Sequence, residues 1–434
     1  MTDAAPLIKR DLYLNRLISF QDTEPVKIIT GIRRSGKSKL LDLMIQHLQQ
    51  SGIANEQILK MNFESFEYEN MDKDTFHSYV LSKCIAGKKM YLFFDEPHKI
   101  AGWETVVNSF RVDIDCDIYI TGSNAHMLSS EYATYLSGRF IEIKMYPLSF
   151  SEFITFRGLT QTTVKTPLGT EQKYLVDSAG NKYMPSEIFE LYLKFGGMPG
   201  LSHLPLNSET VNIILDGIFT SVVSNDILQR DRWSGDAKIR DPVLLKKIAV
   251  YLADNIGKET SSNNLTNTLR AANQSKENRN YSSHTVTSYI NAFVQSYLFY
   301  EAKRFDIRGK ELLKTLSKYY IADIGFRNYL LGYNEVNRGY ALENIVYFEL
   351  LRRGYDVSVG KIASREVDFR ACGPAGSLYI QVTESLASPE TREREFAPLK
   401  MIKDNYEKII LTTDAGGLEY DGIKVVNIIS WLLE

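Results

Sequence analysis

The sequence of 434 residues predicts an α/β protein, in which a parallel sheet with helices on both faces is followed by a helical region and a second, smaller α/β unit. Nearly all-apolar strand segments alternate with helical patterns as far as residue 146, which is typical of a parallel sheet buried on both faces. A run of helical patterns follows, and from Tyr340 the order becomes helix, strand, strand, helix and strand. The length alone indicates two or three domains.

The first domain is predicted over residues 1–146. Its strand segments cover residues 27–30, 58–63, 90–94 and 116–121, and its helical patterns cover 8–20, 40–48, 73–85 and 103–112. In such an alternating arrangement the strands run parallel, and side chains that follow the strands meet at the carboxyl edge of the sheet.

A glycine-rich loop joins the first strand to its helix. It consists of Gly31, Ile32, Arg33, Arg34, Ser35, Gly36, Lys37 and Ser38. Glycine at both ends lets the backbone turn so that successive N–H groups face one anion, which the helix N-terminus also favours. The Lys37 ammonium suits the β- and γ-phosphates, and the Ser38 hydroxyl suits Mg²⁺. The pattern is that of a P-loop and predicts binding of a nucleoside triphosphate.

Two carboxylates follow the strand at residues 90–94. Asp95 is placed at the carboxyl edge beside the loop and is predicted to hold Mg²⁺ with Ser38. Glu96 is predicted to polarise the attacking water as a general base. Asn124 or Ser123, after the next strand, would orient the same water or would simply form a turn.

Three arginines have open interpretations. Arg139 could neutralise charge on the γ-phosphate, in its own subunit or in a neighbour's, or it could form a surface salt bridge. Arg33 and Arg34 could contact phosphate or DNA, or remain solvated. The predicted catalytic set is therefore Lys37, Glu96, Asn124 and Arg139.

The pattern changes at Pro147. Residues 147–240 are predicted as a helical lid region, beginning with a cap at Ser149 and carrying a β-hairpin inserted at 160–185. Residues 241–318 contain helical patterns at 242–256, 264–272 and 283–298 and then strands at 299–304 and 312–321. That order is typical of a winged-helix domain. Residues 319–434 form the last predicted domain.

Basic residues cluster in or beside the proposed wing: Lys303, Arg304, Arg308, Lys310, Lys314 and Lys318. With His284, Thr285 and Ser288 on the third helix, they could contact a DNA backbone. Winged helices also serve as protein-contact modules, so both interpretations stay open. The net charge of −2 and the sequence pI of about 6.4 indicate no global basic field, so any DNA contact must come from a local patch.

The three cysteines, Cys84, Cys116 and Cys372, lack metal-ligand spacing and are expected to be reduced thiols, which favours a cytoplasmic location. No signal-peptide pattern is visible, and no apolar run approaches the length of a membrane span, so no membrane partner is expected.

Five motifs occur in a fixed order: Gly-Ile-Arg-Arg-Ser-Gly-Lys-Ser, Phe-Phe-Asp-Glu, Thr-Gly-Ser-Asn, Ser-Gly-Arg-Phe and Pro-Leu-Ser-Phe-Ser-Glu-Phe. With the later Asp323-Ile324-Gly325, Leu342-Glu343-Asn344 and Glu366-Val367-Asp368-Phe369, they make nearly the whole chain resemble the prokaryotic AAA+-type P-loop ATPases of the archaeal-ATPase-like group. Those proteins carry a C-terminal domain of unknown function. The resemblance implies ATP as the nucleotide. It departs at Pro97-His98, where relatives tend to have an apolar residue and Gln.

The last domain resembles the restriction-endonuclease-like nucleases. Glu343 on a helix, Asp368 after a strand and Gln381 on the next strand match the acidic positions of that superfamily. Thr383 stands where those enzymes have Lys, and Thr is a poor base near neutral pH. Because function lies in the site and not in the fold, a degenerate nucleic-acid- or protein-binding module is expected, and nuclease activity is not.

The predicted function is Mg²⁺-dependent ATP binding and hydrolysis, coupled by the C-terminal domains to contact with DNA or protein. A nucleotide-controlled binding switch with little turnover and an ATP-coupled nuclease are the alternatives. A homo-oligomer is a further partner that the sequence leaves open.

Overall fold

A computed structural model of the chain describes residues 7–128, 138–165, 171–228, 241–273, 281–313, 316–334, 338–374 and 376–434. These residues fall into two compact units. The first unit holds the described residues up to Tyr146 together with Gln295–Tyr297, and the second holds the remaining described residues from Pro147 onward.

The first unit is organised by a five-stranded sheet in the order β2-β3-β4-β1-β5, in which all neighbouring strands are parallel. The strands are β1 (Val26–Thr30), β2 (Ile58–Asn62), β3 (Met90–Asp95), β4 (Cys116–Gly122) and β5 (Phe140–Lys144). The predicted parallel sheet is therefore confirmed. The sequence analysis missed β5, because its residues alternate between apolar and charged side chains and do not form an apolar run.

Helices cover both faces of this sheet. They are α1 (Asp11–Ser19), α2 (Lys37–Gln50), α3 (Lys73–Lys83) and α4 (Trp103–Asp113). Successive strand residues point to opposite faces. Ile28 and Phe94 thus pack in a core with side chains of α3 and α4, whereas Ile29 and Phe93 pack in a second core with α1 and α2.

A buried ion pair joins β1 to β4. The ammonium of Lys27 donates to Asp117 Oδ1 at 2.5 Å and to the carbonyl of Thr23 at 2.6 Å, and both charged side chains are fully buried. The Tyr119 hydroxyl and the backbone N–H of Asp22 donate to the other carboxylate oxygen, each at 2.8 Å. Both carboxylate oxygens and the ammonium are thus supplied with partners, which a buried ion pair requires.

The second unit begins with helices and a small antiparallel sheet. Its first elements are α5 (Phe150–Phe156), β6 (Thr160–Lys165), β7 (Glu171–Val176), β8 (Lys182–Tyr183), α6 (Pro185–Phe195) and α7 (Ser208–Ser221). Ser149 caps α5 in a reciprocal hydrogen-bonding arrangement with Glu152, as predicted. Strands β7 and β8 form the expected hairpin, and β6 adds a third strand on β7.

Helix α7 continues as π-helix over Val222–Leu228, and this continuous helix of 21 residues is long and apolar enough to cross a membrane by length and composition. The sequence analysis expected no such run. Within the second unit, 44% of the most apolar stretch of this helix is buried. Leu215 and Ile218 are among the core side chains that the helix contributes. A core helix of a soluble protein meets the same criteria, so the helix is weak evidence for a membrane.

Three helices follow, α8 (Pro242–Asp254), α9 (Ser262–Asn273) and α10 (Ser283–Gln295). A three-stranded antiparallel sheet accompanies them in the order β10-β13-β9, formed by β9 (Glu259–Thr260), β10 (Phe299–Ala302) and β13 (Ser317–Ile321). Strand β9 lies between α8 and α9 and was not predicted. The predicted domain boundary between residues 318 and 319 is wrong in this respect, because it cuts through β13.

The segment between β10 and β13 belongs to a different sheet. Strands β11 (Arg304–Asp306) and β12 (Glu311–Leu312) extend an eight-stranded sheet in the order β12-β11-β14-β15-β16-β17-β19-β18. Strand β11 pairs in parallel with β14, with Arg304 opposite Val359. The proposed wing is therefore built into the C-terminal sheet.

That sheet and its helices form the end of the chain. The elements are α11 (Ile324–Leu331), α12 (Arg338–Arg352), β14 (Asp356–Ile362), β15 (Arg365–Gly373), β16 (Gly376–Thr383), α13 (Pro389–Met401), β17 (Glu407–Thr412), β18 (Leu418–Tyr420), β19 (Ile423–Asn427) and α14 (Ile428–Leu432). Strands β14, β15 and β16 are antiparallel, whereas β16, β17 and β19 are parallel.

Candidate nucleotide site

The glycine loop connects the end of β1 to the start of α2. Gly31 has a φ of +144°, and a Cβ there would lie 2.1 Å from the carbonyl oxygen of Met145, so only glycine fits. Gly36 has a φ of +103° and directly precedes α2. Among the described residues, no side chain caps that helix, and the uncapped N-terminus of a helix favours an anion.

Lys37 is buried and folds back over its own loop. Its ammonium donates to the carbonyls of Gly31 at 3.0 Å and Ile32 at 3.2 Å, and it lies 3.7 Å from Glu96 Oε1. The predicted cation of the loop and the predicted general base are therefore neighbours. A cation held by two carbonyls and one carboxylate can exchange these partners for the oxygens of an anionic ligand.

Asp95 ends β3 at the carboxyl edge of the sheet and is buried. It accepts a short hydrogen bond from the Thr121 hydroxyl. Burial raises the pKa of Asp95 more than the side chains of Thr121 and Ser38 and the charge of Lys37 lower it. The fold thus brings together the Asp95 carboxylate and the Ser38 hydroxyl. Both are oxygen ligands of the kind that Mg²⁺ prefers, so these residues fit that ion.

Glu96 adopts the left-handed backbone conformation with a φ of 57°, which is uncommon for a residue that is not glycine. Its Oε2 accepts hydrogen bonds from the N–H of Ser123 at 3.1 Å and from the Ser123 hydroxyl at 3.2 Å. Such sparsely populated backbone conformations concentrate at functional sites, where the surrounding structure holds them. Here Ser123 fixes the direction of the carboxylate.

Burial raises the pKa of Glu96, but the positive charge of Lys37 and the nearby His98 and Arg33 lower it more, so the net shift is downward. The Nδ1 atom of His98 lies 3.3 Å from Glu96 Oε2. Glu96 is therefore held as a carboxylate, the form that can accept a proton from water.

The structure distinguishes between the two predicted water-orienting residues. Ser123 contacts Glu96, whereas Asn124 lies buried at the following position. Ser123 is therefore placed to hold the carboxylate that is predicted to act on the water.

Arg139 lies at the amino-terminal ends of the strands, whereas the glycine loop lies at their carboxyl ends. Its carbonyl accepts from the N–H of Val26, the first residue of β1, while the loop follows the last residue of that strand about 13 Å away. The prediction that Arg139 touches the γ-phosphate in its own subunit is therefore wrong, because an arginine side chain is shorter than this distance along the strand. Arg33 pairs with Glu64 at 2.8 Å, and Arg34 is exposed with a φ of 64°.

The sequence analysis missed Arg10, whose side chain is hydrogen-bonded to the glycine loop. This buried residue donates to the carbonyl of Ser35 and to that of Tyr146, each at 2.9 Å. The Ser35 hydroxyl itself is buried without a hydrogen-bond partner in the part of the chain that the structure describes. Arg10 lies outside every motif, so a single sequence carried no signal for it.

The C-terminal residues singled out from the sequence also come together. Asp368 Oδ2 accepts from the N–H of Val382 at 2.8 Å, and the Asp368 N–H donates to Gln381 Oε1 at 2.6 Å. With Glu343 and Thr383 they line a cavity of about 620 Å³. The prediction that Asp368 follows a strand is wrong, since it lies within β15. Among the described residues no group of three or more His, Cys, Asp or Glu side chains could hold a metal ion.

The basic residues of the wing are divided. Arg304 is buried and pairs with Glu259 at 2.6 Å, and Lys318 is buried between Glu343 and Glu366. The prediction that these two contact DNA is therefore wrong. Lys303, Arg308 and Lys310 are exposed, and Lys314 lies outside the described residues.

The parallel sheet, the glycine loop and the acidic pair are the features of a P-loop nucleotide-binding domain. Residues 23–154 match the AAA domain family, and residues 186–337 match a domain of unknown function. An uncharacterized protein of Haemophilus influenzae is 42% identical over 431 residues, which are 99% of this chain and 99% of that protein. The chain belongs to the same family as that protein.

Two more distant similarities cover less of this chain. An uncharacterized protein of Methanocaldococcus jannaschii is 29% identical over 428 residues, covering 96% of this chain and 87% of that protein. The Walker-type ATPase of Pyrococcus abyssi is 13% identical with a TM-score of 0.46, and the match covers 74% of this chain and 95% of that structure.

Proposed function

We propose that this protein binds ATP with Mg²⁺ and hydrolyses it. The observation that supports the proposal is the convergence of Lys37, Asp95 and Glu96 at the end of the glycine loop, with the Lys37 ammonium 3.7 Å from the Glu96 carboxylate. The loop N–H groups and Lys37 would bind the phosphates, and Ser38 and Asp95 would hold the metal ion. When bound, Mg²⁺ would neutralise charge on the phosphate oxygens.

Glu96 would accept the proton of the attacking water. In the present arrangement its carboxylate faces Lys37, so phosphate oxygens that draw the ammonium toward themselves would release Oε1 for that task. Ser123, which holds Oε2, would keep the base in place while this exchange occurs. Lys37 thereby links arrival of the triphosphate to availability of the base.

The test of this function is phosphate release by the full chain with ATP. We expect turnover in the presence of Mg²⁺ and none after the metal is removed with EDTA, with recovery when Mg²⁺ is added back. Hydrolysis that persists without a divalent ion would contradict the roles of Ser38 and Asp95. Binding of ATP without any hydrolysis would favour the alternative of a nucleotide-controlled switch.

For the second unit we propose a winged-helix region that contacts a DNA backbone. The proposal is supported by the order of α8, α9 and α10 followed by the antiparallel pair β10 and β13, with His284 exposed on α10. The exposed residues Lys303, Arg308 and Lys310 would supply the cations.

We expect the full chain to bind duplex DNA in a manner that weakens steeply with salt. Replacing both Arg308 and Lys310 with Ala should weaken binding to all sequences and reduce the slope of log affinity against log salt by about 0.9 for each phosphate that the variant no longer neutralises. A gel-shift titration at several salt concentrations measures both. The matched control is Lys400→Ala together with Arg394→Ala, which removes two exposed cations outside the proposed wing. Equal weakening in the two double variants would argue against the wing as the DNA contact.

A further inference from the structure

A cation that the chain itself provides pairs with two carboxylates, Glu343 and Glu366, that line the cavity of the C-terminal sheet. Lys318 lies on β13, more than twenty residues before Glu343 in the sequence, and its side chain is buried. Its ammonium lies 2.9 Å from Glu343 Oε1 and 2.6 Å from Glu366 Oε1. The Tyr320 hydroxyl also donates to Glu343 Oε1, at 2.6 Å.

The resemblance to nucleases implies a divalent metal held by Glu343 and Asp368, and the residues present do not fit it. Glu343 Oε1 is engaged by the Lys318 ammonium and the Tyr320 hydroxyl. Asp368 Oδ2 is engaged by the backbone of Val382. A divalent ion at this point would meet a buried positive charge at close range, and that repulsion is costly where little water screens it.

The Lys318 ammonium is the counter-charge of the Glu343 carboxylate, and both side chains are buried. The Glu343 carboxylate would be buried without a counter-charge if the ammonium were absent, and buried charges need a partner or a metal ion.

We propose that the ammonium of Lys318 takes the place of a divalent metal ion beside Glu343, so that Glu343 and Asp368 do not bind metal in this protein. The domain then keeps one acidic side chain of a nuclease, Glu343, as the binding partner of an internal cation. Thr383 offers no amine, and the amine that is present is held between two carboxylates, so it has no free electron pair with which to activate water.

The proposal predicts that removing the ammonium creates a metal site. Mn²⁺ is a suitable probe, because its binding to the nucleotide-free full chain can be counted by electron paramagnetic resonance. We expect Lys318→Met to bind one Mn²⁺ per chain more than the wild type, and the melting temperature of this variant to rise when Mn²⁺ is added. Adding Glu343→Gln to the variant should abolish both effects. The matched control is Lys310→Met, which removes an exposed ammonium and should gain no site.

A folded Lys318→Met variant that gains no Mn²⁺ would overturn the proposal. A second comparison does not depend on the folding of that variant, since it uses the wild type and Asp368→Asn. Equal Mn²⁺ binding by these two proteins supports the proposal, whereas a wild-type site that is absent in Asp368→Asn overturns it. Neither measurement depends on ATP hydrolysis, so failure here would leave the ATPase proposal unaffected.

Discussion

Replacing Glu96 with Gln is expected to leave ATP binding within a few-fold of the wild type and to lower turnover by about 10²–10⁴-fold, the usual contribution of a general base. The substitution keeps the size of the side chain and an oxygen that can accept from Ser123, but it removes the group that takes the proton. Lys37 keeps its two carbonyl partners, so the loop should remain formed. Nucleotide binding and phosphate release, measured on the same preparation, check both parts.

Lys37→Ala should weaken ATP binding itself, whereas Glu96→Gln should lower only turnover. We expect a loss of ATP affinity of at least about 30-fold, because truncating one member of a buried charge pair costs about 2–5 kcal/mol and about 1.4 kcal/mol is tenfold. The matched control is Lys39→Ala, since the Lys39 side chain is 70% exposed on the same helix and should change affinity little. Unchanged turnover in Glu96→Gln, or equal affinities in the two lysine variants, would contradict the assigned roles.

Asp117→Asn is expected to lower the free energy of unfolding of the first unit by about 3–5 kcal/mol, since it leaves the buried Lys27 ammonium without its counter-charge. Burial already lowers the pKa of Lys27 while Asp117 opposes this effect, so loss of the carboxylate would favour a neutral amine. That neutralisation limits the cost but does not remove it. Chemical denaturation of the wild type and the variant, followed by circular dichroism, gives the difference.

The control for this prediction is Asp42→Asn. Asp42 also lies 2.5 Å from a lysine, Lys60, but both side chains are partly exposed. Solvent screens such pairs, and their contribution is about 0–1 kcal/mol. If the two variants lose a similar free energy of unfolding, the buried Lys27–Asp117 pair stabilises the protein no more than the partly exposed pair does.

The first unit was predictable from the sequence because its strands are buried on both faces and its loop has a fixed spacing. Asp95 could be placed next to the loop because parallel strands share a carboxyl edge. Strand β5 could not be found by the same reasoning, since it is an edge strand and two of the five residues in its pattern Phe-Ile-Glu-Ile-Lys are charged. The misplacement of Arg139 followed from this, because its strand was not recognised and its edge could not be assigned.

The C-terminal half was less predictable because its decisive contacts join segments distant in sequence. Lys318 was interpreted as part of a basic wing, and nothing in its neighbourhood in the sequence indicated carboxylates 25 and 48 residues later. Arg304 was misinterpreted for the same reason, since its partner Glu259 precedes it by 45 residues. A positive charge in a strand is usually solvated, and only the tertiary structure shows when it is not.

Strands β11 and β12 leave the small sheet for the large one, and β13 brings the chain back. A truncated protein ending at residue 318 would therefore expose unsatisfied strand edges on both sheets, where a second molecule could pair. Shortened versions designed from the apparent order of domains should aggregate, whereas a cut at Pro147 would spare both sheets. Truncated versions of this protein should therefore keep everything from Pro147 onward as a single piece.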